Sequence, residues 1–188
     1  MCPHRWTPFG YFEVVARLEQ AAARGWDTEI DFLCLNYLLR PNAPLPAQAD
    51  VFKHPLKTAV RWRHYSCVPV VLEYLSHFPI DDCRGICALG LEIAAETNNV
   101  VSAPLLLRYC CARDNNSMAL QKACQWGNQE IFDFLYPLSD PNMALRGLQS
   151  REDNTTLLDE RLAQERLRAI LAGAVGVDEH NCASLRKI

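Results

Sequence analysis

A short pattern of leucine followed by small residues recurs four times in this chain of 188 residues. The copies begin at Leu18, Leu56, Leu91 and Leu120, so successive copies are separated by 38, 35 and 29 residues. Alanine lies three residues after each leucine, and in three copies a second small residue follows it. Residues three and four apart share one face of an α-helix, and small side chains let neighbouring helices approach closely. The pattern therefore predicts short helices that stack against one another.

The rest of the chain also indicates helices. Only 8 residues are glycine, and stretches of alternating polar and apolar residues bounded by turn signals are hard to find. The predicted helical ranges are 9–24, 28–39, 55–63, 69–77, 89–97, 101–111, 117–125, 129–136, 141–148 and 156–172. In the first of them the expected apolar stripe is Phe12, Val15, Leu18 and Ala22. Three prolines make residues 40–52 a Pro-rich crossing. The predicted fold class is all-α.

Length and charge bound the class of protein. The apolar fraction of 49% and the formal charge of -3 fit one globular domain, which we expect over residues 1–176 with a tail at 177–188. This charge is unfavourable for nucleic-acid binding, which needs a clustered basic surface. The apolar run 169–177 is too short for a membrane span, and the first residues lack the features of a signal peptide. A cytoplasmic protein is therefore expected.

The cysteine content is consistent with that compartment. The number of cysteines is odd, and most lie in apolar runs, so reduced and buried thiols fit better than a disulfide framework. The nine cysteines are Cys2, Cys34, Cys67, Cys83, Cys87, Cys110, Cys111, Cys124 and Cys182.

Residues 120–135 are the copy that follows a known pattern most closely. They resemble the ankyrin repeat, L-x-x-A-A-x-x-G-x-x-E-V-V-x-x-L-L, with Gly127 ending the first helix and Glu130 opening the second. In the copy at Leu91 the glycine place is taken by Asn98, which tolerates the left-handed backbone conformation. In the copy at Leu56 it is taken by Arg63. The resemblance covers about residues 10 to 148, and the hairpin signature D-x-x-G-x-T-P-L is absent.

The resemblance implies a short ankyrin-like α-solenoid of about four helix pairs with a C-terminal capping helix at 156–172. The stripe expected to face the preceding repeat is Ala163, Leu167, Ile170, Leu171 and Ala174. The implied function is non-catalytic binding of a partner protein along the concave face. Degenerate ankyrin modules are similar to those of secreted bacterial effectors and viral host-range proteins. A virulence effector delivered into a host cell, with a host protein as partner, is therefore one expectation.

Tryptophans suggest where a partner would bind. Trp62 and Trp126 both lie six residues after their leucine, and Trp26 follows Gly25. The resemblance implies that this end of the helix lies along the concave groove. The residues expected to flank the rings are Arg61, Arg63 and Gln125. Trp and Arg often dominate the binding energy of interfaces. The competing interpretation is that each ring packs between helix layers.

Other functions remain as alternatives. A metal site could take ligands from His77, Cys83, Cys87 and the pair Cys110-Cys111. These residues lack the usual C-x2-C spacing, so no metal and no cofactor are predicted. A Cys-dependent transferase or hydrolase would use Cys67 or Cys87 with His64 or His77, although no Gly-rich loop surrounds either thiol. A third alternative is a chaperone-like or oligomeric helical module. The oligomeric state is left open.

Overall fold

The computed structural model describes residues 10–38, 49–151 and 153–182, and for Tyr11 and residues 170–182 it describes the backbone alone. Within these ranges every regular element is a helix, so the all-α prediction is confirmed. The described residues form the α-helices α1 (Tyr11–Arg24), α2 (Asp27–Leu33), α3 (Lys53–Arg61), α4 (Cys67–Leu75), α5 (Ile80–Glu96), α6 (Ala103–Leu106), α7 (Asp114–Gln125), α8 (Gln129–Leu135), α9 (Pro141–Gln149) and α10 (Thr156–Cys182). A π-helix at Cys34–Leu38 continues α2, and 3₁₀ helices precede α3 at Ala49–Phe52 and follow α8 at Tyr136–Leu138.

The odd-numbered helices form a row. Helix α1 packs against α3, α3 against α5, α5 against α7 and α7 against α9. From α1 to α8, each odd-numbered helix also contacts the even-numbered helix that follows it. The four leucines that begin the sequence pattern are buried, as are the alanines three residues after them. Small residues therefore lie where neighbouring helices must approach closely.

The odd-numbered helices also end in the same way. In each, an amide five residues beyond a backbone carbonyl donates a hydrogen bond to it, as in a Schellman cap. The N···O distances are 2.9 Å from Trp26 to Ala21, 2.9 Å from His64 to Ala59, 2.8 Å from Asn99 to Ala94, 2.9 Å from Asn128 to Ala123 and 3.1 Å from Asp153 to Leu148. The residue before the donor has a positive φ at Gly25, Arg63, Asn98 and Gly127. These left-handed residues reverse the chain toward the next element.

Side chains join each of these turns to the preceding one. Nε2 of His64 donates to the carbonyl of Ala23 at 2.9 Å, which places the second turn against the first. Nδ2 of Asn99 donates to the carbonyl of Val60 at 2.9 Å. Nδ2 of Asn128 donates to the carbonyl of Ala95 at 2.7 Å. The turns thus form a continuous row. We call it the turn edge, and it consists of residues 24–26, 61–65, 96–101, 125–128, 150–151 and 153.

Three helices in the middle of the chain have bounds that differ from the prediction. Helix α5 begins at Ile80, nine residues before the predicted start at residue 89, because Cys83, Ile86 and Cys87 are buried and stabilise a segment of weak helix propensity. Helix α6 covers only Ala103–Leu106, because bonds between residues three apart continue the chain as turns, as from Arg108 to Leu105. Helix α7 starts through three left-handed residues at 115–117.

The stripe predicted for the first helix is wrong at Phe12, which is 85% exposed. The buried stripe of α1 consists of Val14, Leu18, Ala21 and Ala22. Six residues separate Phe12 from Leu18, which turns the two side chains about 120° apart around the helix.

Within the described side chains of α10, those at its start pack against the preceding helices. Leu158 is buried, and the Glu165 carboxylate accepts a hydrogen bond from the Tyr136 hydroxyl at 2.9 Å. Ala163 and Leu167 are exposed, which corrects their predicted packing against the preceding repeat, because the buried side of α10 passes through Leu158 and the half-buried Leu162. Of the same stripe, Ile170, Leu171 and Ala174 lie outside the described side chains. Helix α10 runs through Cys182 and includes the first residues of the predicted tail.

The Pro-rich crossing predicted at 40–52 falls largely outside the described residues. Its last four residues, Ala49–Phe52, form a 3₁₀ helix whose Phe52 side chain is fully buried. That end of the crossing is therefore ordered against α3. In the described part of the chain no helix has the length and apolarity that a membrane crossing requires.

Gly147 allows the close approach of α9 to α7. A Cβ at this position would lie 2.5 Å from Oε1 of Gln121, which is buried on α7. The Gln121 amide cannot move away freely, because its Nε2 donates to the carbonyl of Asn116 and its Oε1 accepts from Arg151. By contrast, Gly85 in α5 is exposed, and a Cβ added there would meet no atom within 4 Å.

We expect opposite effects from Gly147→Ala and Gly85→Ala. Gly147→Ala lowers the free energy of unfolding by about 1–3 kcal/mol, because the added methyl overpacks the α7–α9 contact. Gly85→Ala raises it by up to about 1 kcal/mol, because alanine restricts the unfolded chain and favours the helix. Urea unfolding followed by far-UV circular dichroism measures both. A stabilising Gly147→Ala would contradict the described packing.

Asn99 provides a second test of the fold. It is buried, its Nδ2 donates to the carbonyl of Val60, and its Oδ1 accepts from the amide of Ser102 at 3.1 Å. Asn99→Ala removes the side chain that bonds the Val60 carbonyl and the Ser102 amide. We therefore expect the free energy of unfolding to fall by about 1–3 kcal/mol. The matched control is Asn142→Ala, whose side chain is exposed and which we expect to change stability little. Equal stability of the two variants in urea would refute a role for the Asn99 bonds.

Candidate partner-binding edge

Exposed apolar side chains concentrate on the turn edge. Among the described residues ten large apolar side chains are exposed, and five of them belong to this one row of turns. The five are Trp26, Trp62, Tyr65, Val101 and Trp126. The other five, Phe12, Leu35, Ile80, Leu138 and Leu167, are distributed over separate elements. Exposed apolar side chains that occur singly are ordinary, whereas a continuous series of them indicates a binding surface.

The three tryptophans that the sequence analysis assigns to partner binding are not packed between helix layers. Trp26 is 48% exposed, Trp62 is 64% exposed and Trp126 is 58% exposed. Trp62 and Trp126 are the C-cap residues of α3 and α7, and the residue after each of them has a positive φ. The chain reverses at that point, so each indole lies at the end of its helix and outside the buried contact between neighbouring helices.

The three tryptophans all lie at the C-terminal ends of odd-numbered helices. Each connection enters an odd-numbered helix at its first residue, whereas the tryptophans follow its last residue. Helix α3 has nine residues from Lys53 to Arg61, so about 13 Å separate its two ends. The tryptophans therefore line the edge formed by the tight turns within pairs.

The three polar residues predicted to flank the rings lie on this edge and hold it together. Arg61 forms an ion pair with Glu96 on α5, with 3.2 Å between nitrogen and oxygen. The Arg63 guanidinium donates to the carbonyl of Thr97 at the end of α5. Nε2 of Gln125 donates to the Asp153 carboxylate at 3.1 Å. Each of these bonds joins one turn to the next along the row.

The backbone of Arg63 has a left-handed conformation, which is unfavourable for a residue with a side chain. Its φ is 59°, at the place where the first and fourth turns have Gly25 and Gly127. A left-handed residue with a side chain costs about 1–2 kcal/mol. The Arg63 bond to Thr97 offsets part of this cost, because it brings a positive charge to the C-terminal end of a helix dipole. Its acceptor is a carbonyl, so this bond does not neutralise the Arg63 charge.

Arg24 is a residue of the edge that the sequence analysis missed. Its guanidinium carbon lies 4.7 Å from the centre of the Trp26 ring, within the range of a cation–π contact. The signal in the sequence was an arginine and a tryptophan on either side of Gly25, where a helix cap brings them together. A shallow cleft of about 230 Å³ adjoins the same ring and is lined by Arg17, Gln20, Ala21 and Glu29.

The candidate thiols have the environment of structural cysteines. Cys67 and Cys87 are fully buried. Burial raises the pKa of the Cys67 thiol, and it raises the pKa of Cys87 to about 12. At neutral pH both are therefore protonated, and a protonated thiol is a poor nucleophile. The Nε2 atom of His64, one of the two candidate bases, donates to the carbonyl of Ala23.

The described residues contain no group of three His, Cys, Asp or Glu side chains arranged to hold a metal ion. Comparison of the chain with protein-family models, with curated proteins and with solved structures finds no match.

Thiol alkylation tests the catalytic alternative. At neutral pH we expect iodoacetamide to modify the exposed Cys111 in the folded protein, and to modify Cys67 and Cys87 only after unfolding in urea. The reason is that burial both shields these two thiols and holds them protonated. Peptide mass spectrometry gives the rate for each site. If Cys67 or Cys87 reacted faster than Cys111 in the folded protein, the enzyme alternative would gain support.

Proposed function

We propose that this chain is a short ankyrin-like α-solenoid that binds a partner protein through its turn edge and has no catalytic activity of its own. The order of the helix contacts supports the solenoid, since each odd-numbered helix packs against the next one along the chain. The shared cap supports repetition, because its carbonyl acceptors at Ala21, Ala59, Ala94 and Ala123 are the alanines of the sequence pattern.

The observation that carries the binding proposal is the concentration of exposed apolar side chains on the turn edge. Burying an aromatic side chain contributes roughly 1.5–3 kcal/mol, and tryptophan and arginine are enriched among the residues that dominate interfaces. Trp62 and Trp126 present large exposed surfaces on a row that backbone and side-chain bonds hold rigid. A rigid aromatic surface loses little conformational entropy when a partner binds.

The absence of catalysis in this proposal is supported by the state of the thiols. Cys67 and Cys87 are buried and protonated at neutral pH, and among the seven cysteines described here only Cys111 is exposed. Cys111 lies in the connection between α6 and α7, away from both candidate histidines in sequence.

An affinity pull-down from cell lysate tests the proposed function with the double variant Trp62→Ala/Trp126→Ala. We expect a partner that the unmodified protein retains to be recovered at least about tenfold less well by this variant, because two interface anchors are removed. The matched control is Ile80→Ala, an exposed apolar residue at the first position of α5, at the other end of that helix from the turn edge. Circular dichroism checks that all three proteins are equally helical. Equal recovery by the double variant and the control would remove the tryptophans from the binding surface.

A further inference from the structure

The charge of the turn edge, together with the spacing that packed helices give to its turns, favours one class of ligand. Building on the proposed function, we infer that the edge binds an extended, proline-rich acidic segment in the polyproline II conformation, with a carboxylate at every third residue. Three features of the edge carry this inference: the distance between its turns, the cations at its first two turns and the exposed indoles beside them.

The spacing that helix packing gives to neighbouring turns is close to the pitch of a polyproline II helix. Neighbouring helices in a packed row lie about 8–10 Å apart, and each odd-numbered helix contributes one turn to the edge. Polyproline II has three residues per turn and rises 3.1 Å per residue, so the same face recurs about every 9 Å. A ligand in this conformation presents one equivalent side chain to each turn. An α-helical ligand returns to nearly the same face after seven residues, or about 10.5 Å, which is longer than this spacing.

The charge at the first two turns selects acidic residues. Arg24 is held over the Trp26 ring, and Arg63 is bonded to the carbonyl of Thr97, so neither of these contacts involves a carboxylate. Arg61 differs, because Glu96 already pairs with it. The turns that carry Arg24 and Arg63 are in direct contact, since His64 bonds to the carbonyl of Ala23. The Arg63 side chain extends from the second turn to the third, so a ligand with a carboxylate at every third residue would place one carboxylate beside each of the two guanidinium groups.

The aromatic rings select a stiff, proline-rich chain. Exposed tryptophans that accept proline rings are a general means of binding polyproline II segments, which lose little conformational entropy because they are already extended. Trp26 and Trp62 lie on the same two turns as the two arginines, and Trp126 lies on the fourth turn. The edge therefore offers contact to the proline faces and to the acidic residues of one ligand.

A second copy of this chain fits the edge less well. In a two-fold contact between two turn edges, Arg24 and Arg63 of one copy would face the same cations of the other, which is unfavourable. A single-stranded nucleic acid also stacks on tryptophan and arginine, but its dense charge needs a wider basic surface than two arginines provide. Nucleic acid is therefore included as an outcome of the test.

Fluorescence anisotropy of fluorescein-labelled peptides, titrated with the full chain at low salt, tests the inference. The first probe contains four Pro-Pro-Glu triplets. A charge-reversed probe contains four Pro-Pro-Lys triplets, and a spacing control contains three Pro-Pro-Pro-Glu quartets. The fourth probe is an oligothymidylate of similar length. We expect saturable binding of the Pro-Pro-Glu probe and weaker binding of the other three.

Variants of the chain identify the edge as the site. We expect Arg24→Gln/Arg63→Gln to weaken binding of the Pro-Pro-Glu probe about fivefold and to reduce its dependence on salt, because two exposed ion pairs are lost. Trp62→Ala is expected to weaken it more, and Ile80→Ala is expected to leave it unchanged. Circular dichroism of each variant confirms that the helices are retained.

Several results would overturn the inference. Equal binding of the Pro-Pro-Lys probe would refute the charge argument, and equal binding of the quartet probe would refute the spacing argument. Tighter binding of oligothymidylate would assign the edge to nucleic acid. If no peptide bound while the lysate pull-down still depended on Trp62 and Trp126, the inference would fail and the proposed function would stand. If recovery in the pull-down did not depend on Trp62 and Trp126, that result alone would reject the proposed function.

Discussion

The hydrogen bonds that close the odd-numbered helices determine the arrangement of the turn edge. Each helix ends with an amide that returns to a carbonyl five residues earlier, and at three turns a side chain bonds to the end of the preceding helix. These bonds satisfy helix-terminal carbonyls that would otherwise face water or a neighbouring helix. They also set the position of one turn relative to the next. Asn99 is central to this arrangement because it is buried and bonds on both sides.

The same bonds explain how exposed apolar residues remain ordered. A C-cap residue lies beyond the buried contact between helices, so its side chain contributes little to the core. Trp62 and Trp126 occupy such positions while the backbone around them is held by the cap. Arg63 shows that the edge tolerates a cost in backbone energy, since its left-handed conformation is one that glycine or asparagine adopts more readily. Along the edge, the exposed tryptophan rings are thus distinct from the side chains that bond one turn to the next.

The parts of the structure that sequence could predict are those with a local cause. Leucine, alanine and a turn residue at fixed spacing specify a helix face and its cap, so the register of Leu91, Ala94 and Asn98 matches their burial and φ angle. The early start of α5 depends on burial of Cys83 and Cys87 by other elements, which no local pattern encodes. The exposure of Trp62 was left open because a tryptophan at a helix end suits both a core and a surface. The contact of Arg24 with Trp26 required the geometry of the Gly25 turn.

The unequal spacing of the pattern has a consequence for how such a chain can change during evolution. The segments between successive leucines differ in length, yet the caps at their ends have the same bonds. Insertions and deletions in the connections are therefore absorbed at the far end of each helix, away from the caps. The exposed side chains of the turn edge are also different residues from the leucines and alanines of the core. The exposed side chains of the turn edge and the lengths of the connections could thus vary independently while the helix row persists.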